Sequence, residues 1–175
     1  MIFKEYFRKM ADAVVEVDEE LLGRVVSMLR AIVPIGGKVI LAGNGASAAI
    51  ASHVAVDLTK TSGVRAINFN EADLITCFAN DYGYEHWVEK ALDFYADPKD
   101  VVILISSSGM SPNIVNAALR AKSQGLPVIT FSGFRENNEL RKLGDVNFWV
   151  DSSEYNIVET IHQAWLLAVV DKIKE

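Results

Sequence analysis

Residues 100–114, Asp-Val-Val-Ile-Leu-Ile-Ser-Ser-Ser-Gly-Met-Ser-Pro-Asn-Ile, leave few folds open. An apolar, β-branched run without polar alternation suits a strand buried on both faces, the pattern of a parallel sheet. It stops at Ser106-Ser107-Ser108-Gly109. Ser111 then reads as a helix N-cap and Pro112 as the first helical residue, where a missing N–H costs nothing. Such a strand-to-helix turn gathers hydroxyls, free amides and the positive end of a helix dipole. That combination suits an anion, and it needs no lysine. Alone, Ser-Ser-Ser-Gly could equally be a polar turn.

A second element shifts the balance. Lys38-Val39-Ile40-Leu41-Ala42 is another apolar strand, followed by Gly43-Asn44-Gly45-Ala46-Ser47 and a helix. Gly43 and Gly45 allow backbone to approach a ligand, and Asn44 and Ser47 supply hydrogen bonds. The turn lacks the Gly-Lys-Ser/Thr of a nucleotide-binding P-loop, and Ala48 stands where a dinucleotide fingerprint has its third glycine. Two serine-bearing turns at strand ends therefore point to a small phosphorylated molecule.

The rest of the chain sets the frame. Strands are predicted at 38–42, 65–69, 100–105, 127–131 and 146–150, and helices at 46–60, 71–79, 84–95, 111–124, 137–142 and 156–173. This alternation predicts an α/β fold, a parallel sheet covered by helices on both faces, with ligands at the carboxyl ends of strands near a switch point. The 175 residues make one domain, residues 1–175. A net charge of −6 without any basic run argues against a nucleic-acid surface. No apolar stretch is long enough to span a membrane, and the charged start does not read as a signal peptide, so a cytoplasmic protein is expected. The one cysteine, Cys77, excludes an internal disulfide and reads as a buried structural thiol.

Residues 1–35 form a helical segment ahead of an α/β core at 36–175. Phe3, Phe7, Met10, Val14, Val17 and Leu21 repeat with coiled-coil-like spacing, and Val25, Leu29 and Ile32 add a second stripe. These stripes could pack on the chain's own domain or on another subunit; the second reading is favoured. Pro34 and Gly36-Gly37 end the segment.

The motifs together resemble the SIS (sugar isomerase) domain family and, within it, the phosphoheptose isomerase branch. The resemblance rests on Gly43-Asn44-Gly45-Ala46-Ser47, Ala-Asn-Asp-Tyr-Gly-Tyr at 79–84, Ser106–Asn113, and Ile-Val-Glu-Thr-Ile-His at 157–162. It implies a flavodoxin-like, doubly wound five-stranded parallel sheet with N-terminal helices. It also implies a homotetramer with active sites at subunit interfaces, and serine loops that hold the phosphate of an open-chain sugar. Carried over by position, Asn44, Gly45 and Ser47 match first-loop ligand contacts. Ser106, Ser107, Ser108 and Ser111 match the phosphate grip, and Asp81 matches an acid that touches the sugar chain.

Aldose–ketose isomerisation needs a base for the proton beside a carbonyl and a partner for the enediolate. In the family, His-x-x-x-Glu on the helix after the first loop, a Gln or Glu on the last helix, and a second His serve as base, acid and zinc ligands. Here the first pair is His53 and Asp57, on one helix face at i, i+4. Asp57 retracts the carboxylate by a methylene, on the order of 1.5 Å. Glu159 and His162 stand in the closing motif, but five residues beyond His162 is Leu167, which binds no metal and carries no proton. His53, Asp57, Glu159 and His162 could form a remodelled zinc site. Equally, His53 could be satisfied by Asp57 and His162 by a backbone carbonyl. The resemblance thus implies a sugar-phosphate isomerase with Asp57 and His53 as its catalytic pair. Its alternative is a non-catalytic SIS module that binds a phosphosugar as a sensor or assembles a partner complex.

Overall fold

The computed structural model describes residues 2–175. Five strands, β1 (Val39–Gly43), β2 (Ala66–Asn68), β3 (Val101–Ser106), β4 (Val128–Ser132) and β5 (Val146–Trp149), form one sheet in the order β2-β1-β3-β4-β5. Every adjacent pair is parallel. The expected doubly wound sheet is present, and its order reverses between β1 and β3. There Gly43 is in register with Ile105, so the two serine-bearing turns leave the sheet side by side.

Alternate strand residues feed opposite cores, as the two-residue period requires. Val39, Leu41, Val101, Ile103, Ile129 and Phe131 meet α2 (Glu19–Ile32), α3 (Ala46–Thr61) and α7 (Tyr155–Lys174) on one face. Ile40, Ala42, Val102, Leu104 and Val128 meet α5 (Trp87–Tyr95) and α6 (Pro112–Ser123) on the other, with α4 (Ala72–Tyr82) laid against them. Among the described residues no helix is long and apolar enough to cross a membrane.

Asp100 anchors the entry to the central strands. It is buried; Oδ1 accepts the Lys38 backbone N–H at 2.9 Å, and Oδ2 accepts the Asp97 N–H at 2.8 Å and the Lys38 ammonium at 2.5 Å. Asp97 adds a second carboxylate 2.7 Å from the same ammonium. Burial alone would lower the Lys38 pKa, but the hydrogen bonds and charges of Asp100 and Asp97 outweigh it and raise the pKa above the usual lysine value. Lys38 in turn lowers that of Asp97.

Three local expectations are corrected. The N-terminal stripe is not one seam: α1 (Phe3–Val15) stops, and Asp18 caps α2 by accepting the Glu20 and Leu21 N–H groups at 2.9 and 3.2 Å. Tyr6, Met10, Ala13 and Val14 pack inward, whereas Phe3 and Phe7 are exposed. The second stripe, Val25, Leu29 and Ile32, is covered by the chain's own core rather than left for another subunit. Trp165 Nε1 donates to the Val14 carbonyl at 2.9 Å, and Arg30 donates to the Lys172 carbonyl at 2.7 Å, tying α1 and α2 to α7.

Residues 137–142 form turns, not a helix. Asn138 is the reason. Its amide donates to the Arg135 carbonyl at 2.8 Å and to Ser132 Oγ at 3.1 Å, while its Oδ1 accepts the Arg141 N–H at 2.9 Å. Those bonds replace the ones a helix would make. The third correction is Cys77. It is exposed, because α4 turns Leu74, Ile75, Phe78 and Ala79 to the core instead; the nearest polar partner of its sulfur is Asp81 Oδ2 at 3.9 Å.

Candidate functional site

A cleft of about 300 Å³ opens where β1 and β3 diverge, at the small end of the range for ligand pockets. One wall is the β1–α3 turn. A Cβ on Gly43 would lie 2.7 Å from the Ser47 backbone, so the first turn of α3 can close over β1 only with glycine there. Gly45 ends the turn at φ +55°, in the left-handed region, as N-cap of α3. Asn44, Gly45, Ala46 and the buried Ser47 all face the cleft.

The opposite wall is the β3–α6 turn, where Ser106, Ser107, Ser108 and Ser111 line the same space. Ser111 is the N-cap and Pro112 the first residue of α6, as expected. Yet the Ser111 hydroxyl does not cap its helix. It lies 3.1 Å from Ser106 Oγ. Because Pro112 has no N–H and the Ile114 N–H donates to the Ser111 carbonyl at 3.0 Å, the Asn113 backbone amide is the one left to a ligand in the first turn of α6. The Gly109 N–H donates to the Ser106 carbonyl at 2.9 Å and the Leu140 N–H to the Gly109 carbonyl at 3.0 Å, which holds the turn in shape.

Asn44 and the buried Asn113 join the walls by a reciprocal amide pair, each bond 2.9 Å. Tyr84 adds a hydroxyl donated to Asn44 Oδ1 at 3.2 Å. Asn113 and Tyr84 lie in motifs visible in the sequence, but pairing across 69 residues leaves no local signal. Tyr155 also lines the cleft and was missed; its ring meets Phe134 edge-on at 4.8 Å. No lysine or arginine lines the cleft among the described residues. What an anion meets is hydroxyls and two helix N-termini, each equivalent to roughly half a positive charge.

Glu159 of α7 closes one side, with Ser107 donating to Oε1 at 3.3 Å. His53 and Asp57 share a face of α3 as expected, His53 Nε2 lying 3.2 Å from Asp57 Oδ2. Their side chains are 47% and 31% exposed and neither lines the cleft, so the pair lies open to solvent outside it. Asp81, expected to touch the sugar chain, does not line the cleft; it lies on the exposed end of α4 and accepts from Asn80 at 2.9 Å.

His162 is corrected outright as a site residue. Three residues along a helix put it about 60° around the axis from Glu159, enough to turn it into the core. It is fully buried, with Nε2 donating to the Ser132 carbonyl at 3.0 Å and Nδ1 without a partner among the described residues. The backbone-carbonyl reading of this histidine is therefore the correct one. Burial lowers its pKa from 6.5 to about 4, outweighing the Ser132 bond, which acts in the opposite direction.

Between pH 6.5 and 4 the unfolded chain binds a proton at this position and the folded chain does not. Stability therefore falls as pH drops through that window, by up to about 3 kcal/mol from this residue. A His162→Gln variant, which keeps a donor for Ser132, is expected to lose less stability than the parent between pH 7.5 and 4.5 in urea titrations.

The zinc set read from the sequence is not assembled. His162 is withdrawn, Leu167 packs with the core, and among the described residues no three His, Cys, Asp or Glu side chains converge. His53 already has both ring nitrogens engaged, Nε2 by Asp57 and Nδ1 by Gln163 Nε2 at 3.1 Å. This donor set does not fit a tetrahedral zinc centre.

The fold and site define a doubly wound α/β domain with an anion-suited cleft at its switch point. Residues 3–133 match the SIS domain family. The phosphoheptose isomerase of Syntrophotalea carbinolica is 32% identical over 179 residues, 97% of this chain and 91% of that protein. The phosphoheptose isomerase of Burkholderia pseudomallei is 35% identical over 154 residues, 83% and 78% of the two chains. The solved phosphoheptose isomerase of Neisseria gonorrhoeae superposes with a TM-score of 0.89 at 26% identity, over 98% of this chain and 94% of its own. The chain belongs to the SIS-domain family, in its phosphoheptose isomerase-like branch.

Proposed function

We propose that this protein is an aldose–ketose isomerase acting on a phosphorylated open-chain sugar of the phosphoheptose type. The observation that carries the reading is the cleft itself, with hydroxyls and two helix N-termini converging at the switch point and Glu159 on one flank. A phosphate dianion suits the Ser106, Ser108 and Ser111 side and is repelled by Glu159. The carboxylate thereby sets the ligand's direction, phosphate toward α6 and sugar hydroxyls toward α7. Along α3, His53 lies about 9 Å and Asp57 about 15 Å beyond Ser47; neither lines the cleft, so the sugar chain has to extend out of it along α3 to meet the pair. Relatives named phosphoheptose isomerase support the substrate class.

In this reading Asp57 removes the proton on the carbon next to the carbonyl. The C–H electrons form the C=C bond of an enediolate, and the former carbonyl oxygen takes the charge. His53, hydrogen-bonded to Asp57 Oδ2, holds the carboxylate in place, and Glu159 carries the proton between the two oxygens. Glu159 is within reach of a sugar hydroxyl beside Ser107. The proton returns to the neighbouring carbon, completing the exchange of aldehyde and ketone.

A homo-oligomer belongs to the same reading, in the cytoplasm. Phe3, Phe7 and Val15 are exposed, and a groove of about 840 Å³ runs between α1, α2 and α7. A second subunit over the open His53–Asp57 pair would also exclude water from the chemistry. Leu167 in place of the family's second histidine favours one competing reading, a module that binds the phosphosugar without turning it over.

Calorimetry with sedoheptulose 7-phosphate tests the phosphate grip. Ser108 and Ser111 are only partly buried, so their loss leaves the fold intact. Ser108→Ala and Ser111→Ala are each expected to weaken binding by about 1–3 kcal/mol. Unchanged affinity in the double variant would move the phosphate elsewhere.

A further inference from the structure

We propose that Gln163 is a positioning residue that holds His53 through Nδ1, an inference resting on the isomerase reading above. Two contacts fix the arrangement. His53 Nε2 lies 3.2 Å from Asp57 Oδ2, and His53 Nδ1 lies 3.1 Å from Gln163 Nε2. A carboxylate can only accept, so Nε2 carries the ring proton. The neutral ring then has a lone pair at Nδ1, and the amide N–H of Gln163 satisfies it there. Donor and acceptor roles close without conflict along Gln163, His53 and Asp57.

The arrangement joins two helices that reach the cleft separately. Gln163 is one turn beyond Glu159 on α7, and Asp57 is one turn beyond His53 on α3. Glu159 faces the serine turn, and Gln163 carries the same helix face on to His53. A half-exposed imidazole held by Asp57 alone could still swing about its bonds. The bond from α7 restricts the ring plane, so that Nε2–H stays on the carboxylate that takes the substrate proton. The same bond occupies the nitrogen that a metal would need, consistent with a donor set that does not fit zinc.

The test uses ¹⁵N-labelled full-length protein at pH 8 with Gln163→Leu, and Gln163→Met as a second variant should the first fail to fold. In the parent, His53 is expected as the Nε2–H tautomer, with its Nδ1 resonance shifted by an accepted hydrogen bond. In the variants that resonance moves to the position of a free imine nitrogen. With sedoheptulose 7-phosphate, kcat falls about tenfold while KM is unchanged, because the phosphate grip is untouched. An unmoved Nδ1 resonance overturns the proposal whatever happens to kcat; so does a moved resonance with unchanged kcat, and so does an Nδ1–H tautomer in the parent. If the parent turns over no sugar phosphate, the isomerase reading fails, and the positioning role with it. The ring spectra then still decide whether the hydrogen bond exists.

Discussion

An Asp57→Asn variant is expected to bind sedoheptulose 7-phosphate as tightly as the parent and to isomerise it about 10²–10⁴-fold more slowly. The amide keeps the size of the carboxylate but cannot take a proton. Folding should be unaffected, since Asp57 is a partly exposed residue on the solvent side of α3. KM should stay within a few-fold, because the Ser106–Ser111 turn and the N-terminus of α3 hold the phosphate at a distance from this residue. A parallel rise in KM with constant kcat would mean that Asp57 serves binding rather than proton transfer. The readout is steady-state kinetics followed by ¹H NMR of the sugar.

The largest expected effect on stability is at Asp100. Asp100→Ala leaves a buried ammonium and two backbone N–H groups, of Lys38 and Asp97, without the carboxylate that accepts all three. Removing one partner of a buried ion pair typically costs about 3–5 kcal/mol. The lower end applies here, because Asp97 still reaches Lys38 from solvent at 2.7 Å. For a chain of this size a loss near 3 kcal/mol lowers the melting temperature by roughly 6–12 °C. Calorimetric scans of parent and variant check it. The raised Lys38 pKa adds a signature at the alkaline end. Its contribution is complete below the unfolded lysine value and is lost as pH rises through the folded value. Lys38→Met should therefore flatten the alkaline limb of the stability curve.

Much of this architecture was legible because its signals are local. Val101–Ile105 and Val39–Ala42 are apolar runs that end in glycine and serine, and each such ending became a wall of the cleft. The i, i+4 spacing of His53 and Asp57 likewise needed only helix geometry. What escaped depends on partners far along the chain. Asn113 acquires its role from Asn44, and Gln163 from His53, 110 residues away. Asn138 suppressed a helix through bonds to the end of β4 and the loop beyond it, a competition invisible to hydrophobic periodicity. His162 shows the limit of motif transfer. At i, i+3 from Glu159 it could join a remodelled zinc site, but the helix angle that brings Glu159 to Ser107 turns His162 onto Ser132. The break at Asp18 had a readable N-cap signal, and the heptad-like spacing across it was the weaker guide.

Isomerase activity is decided by following sedoheptulose 7-phosphate by ¹H NMR in D₂O, with purified protein and a metal chelator present. The ketose is expected to convert to its aldose isomers with solvent deuterium entering the carbon next to the carbonyl, because an enediolate forms and is reprotonated from exchangeable groups. The chelator is expected to leave that rate unchanged, since His53 is held by Asp57 and Gln163. Tight binding of the phosphosugar with neither conversion nor deuterium incorporation would instead identify a non-catalytic phosphosugar-binding module.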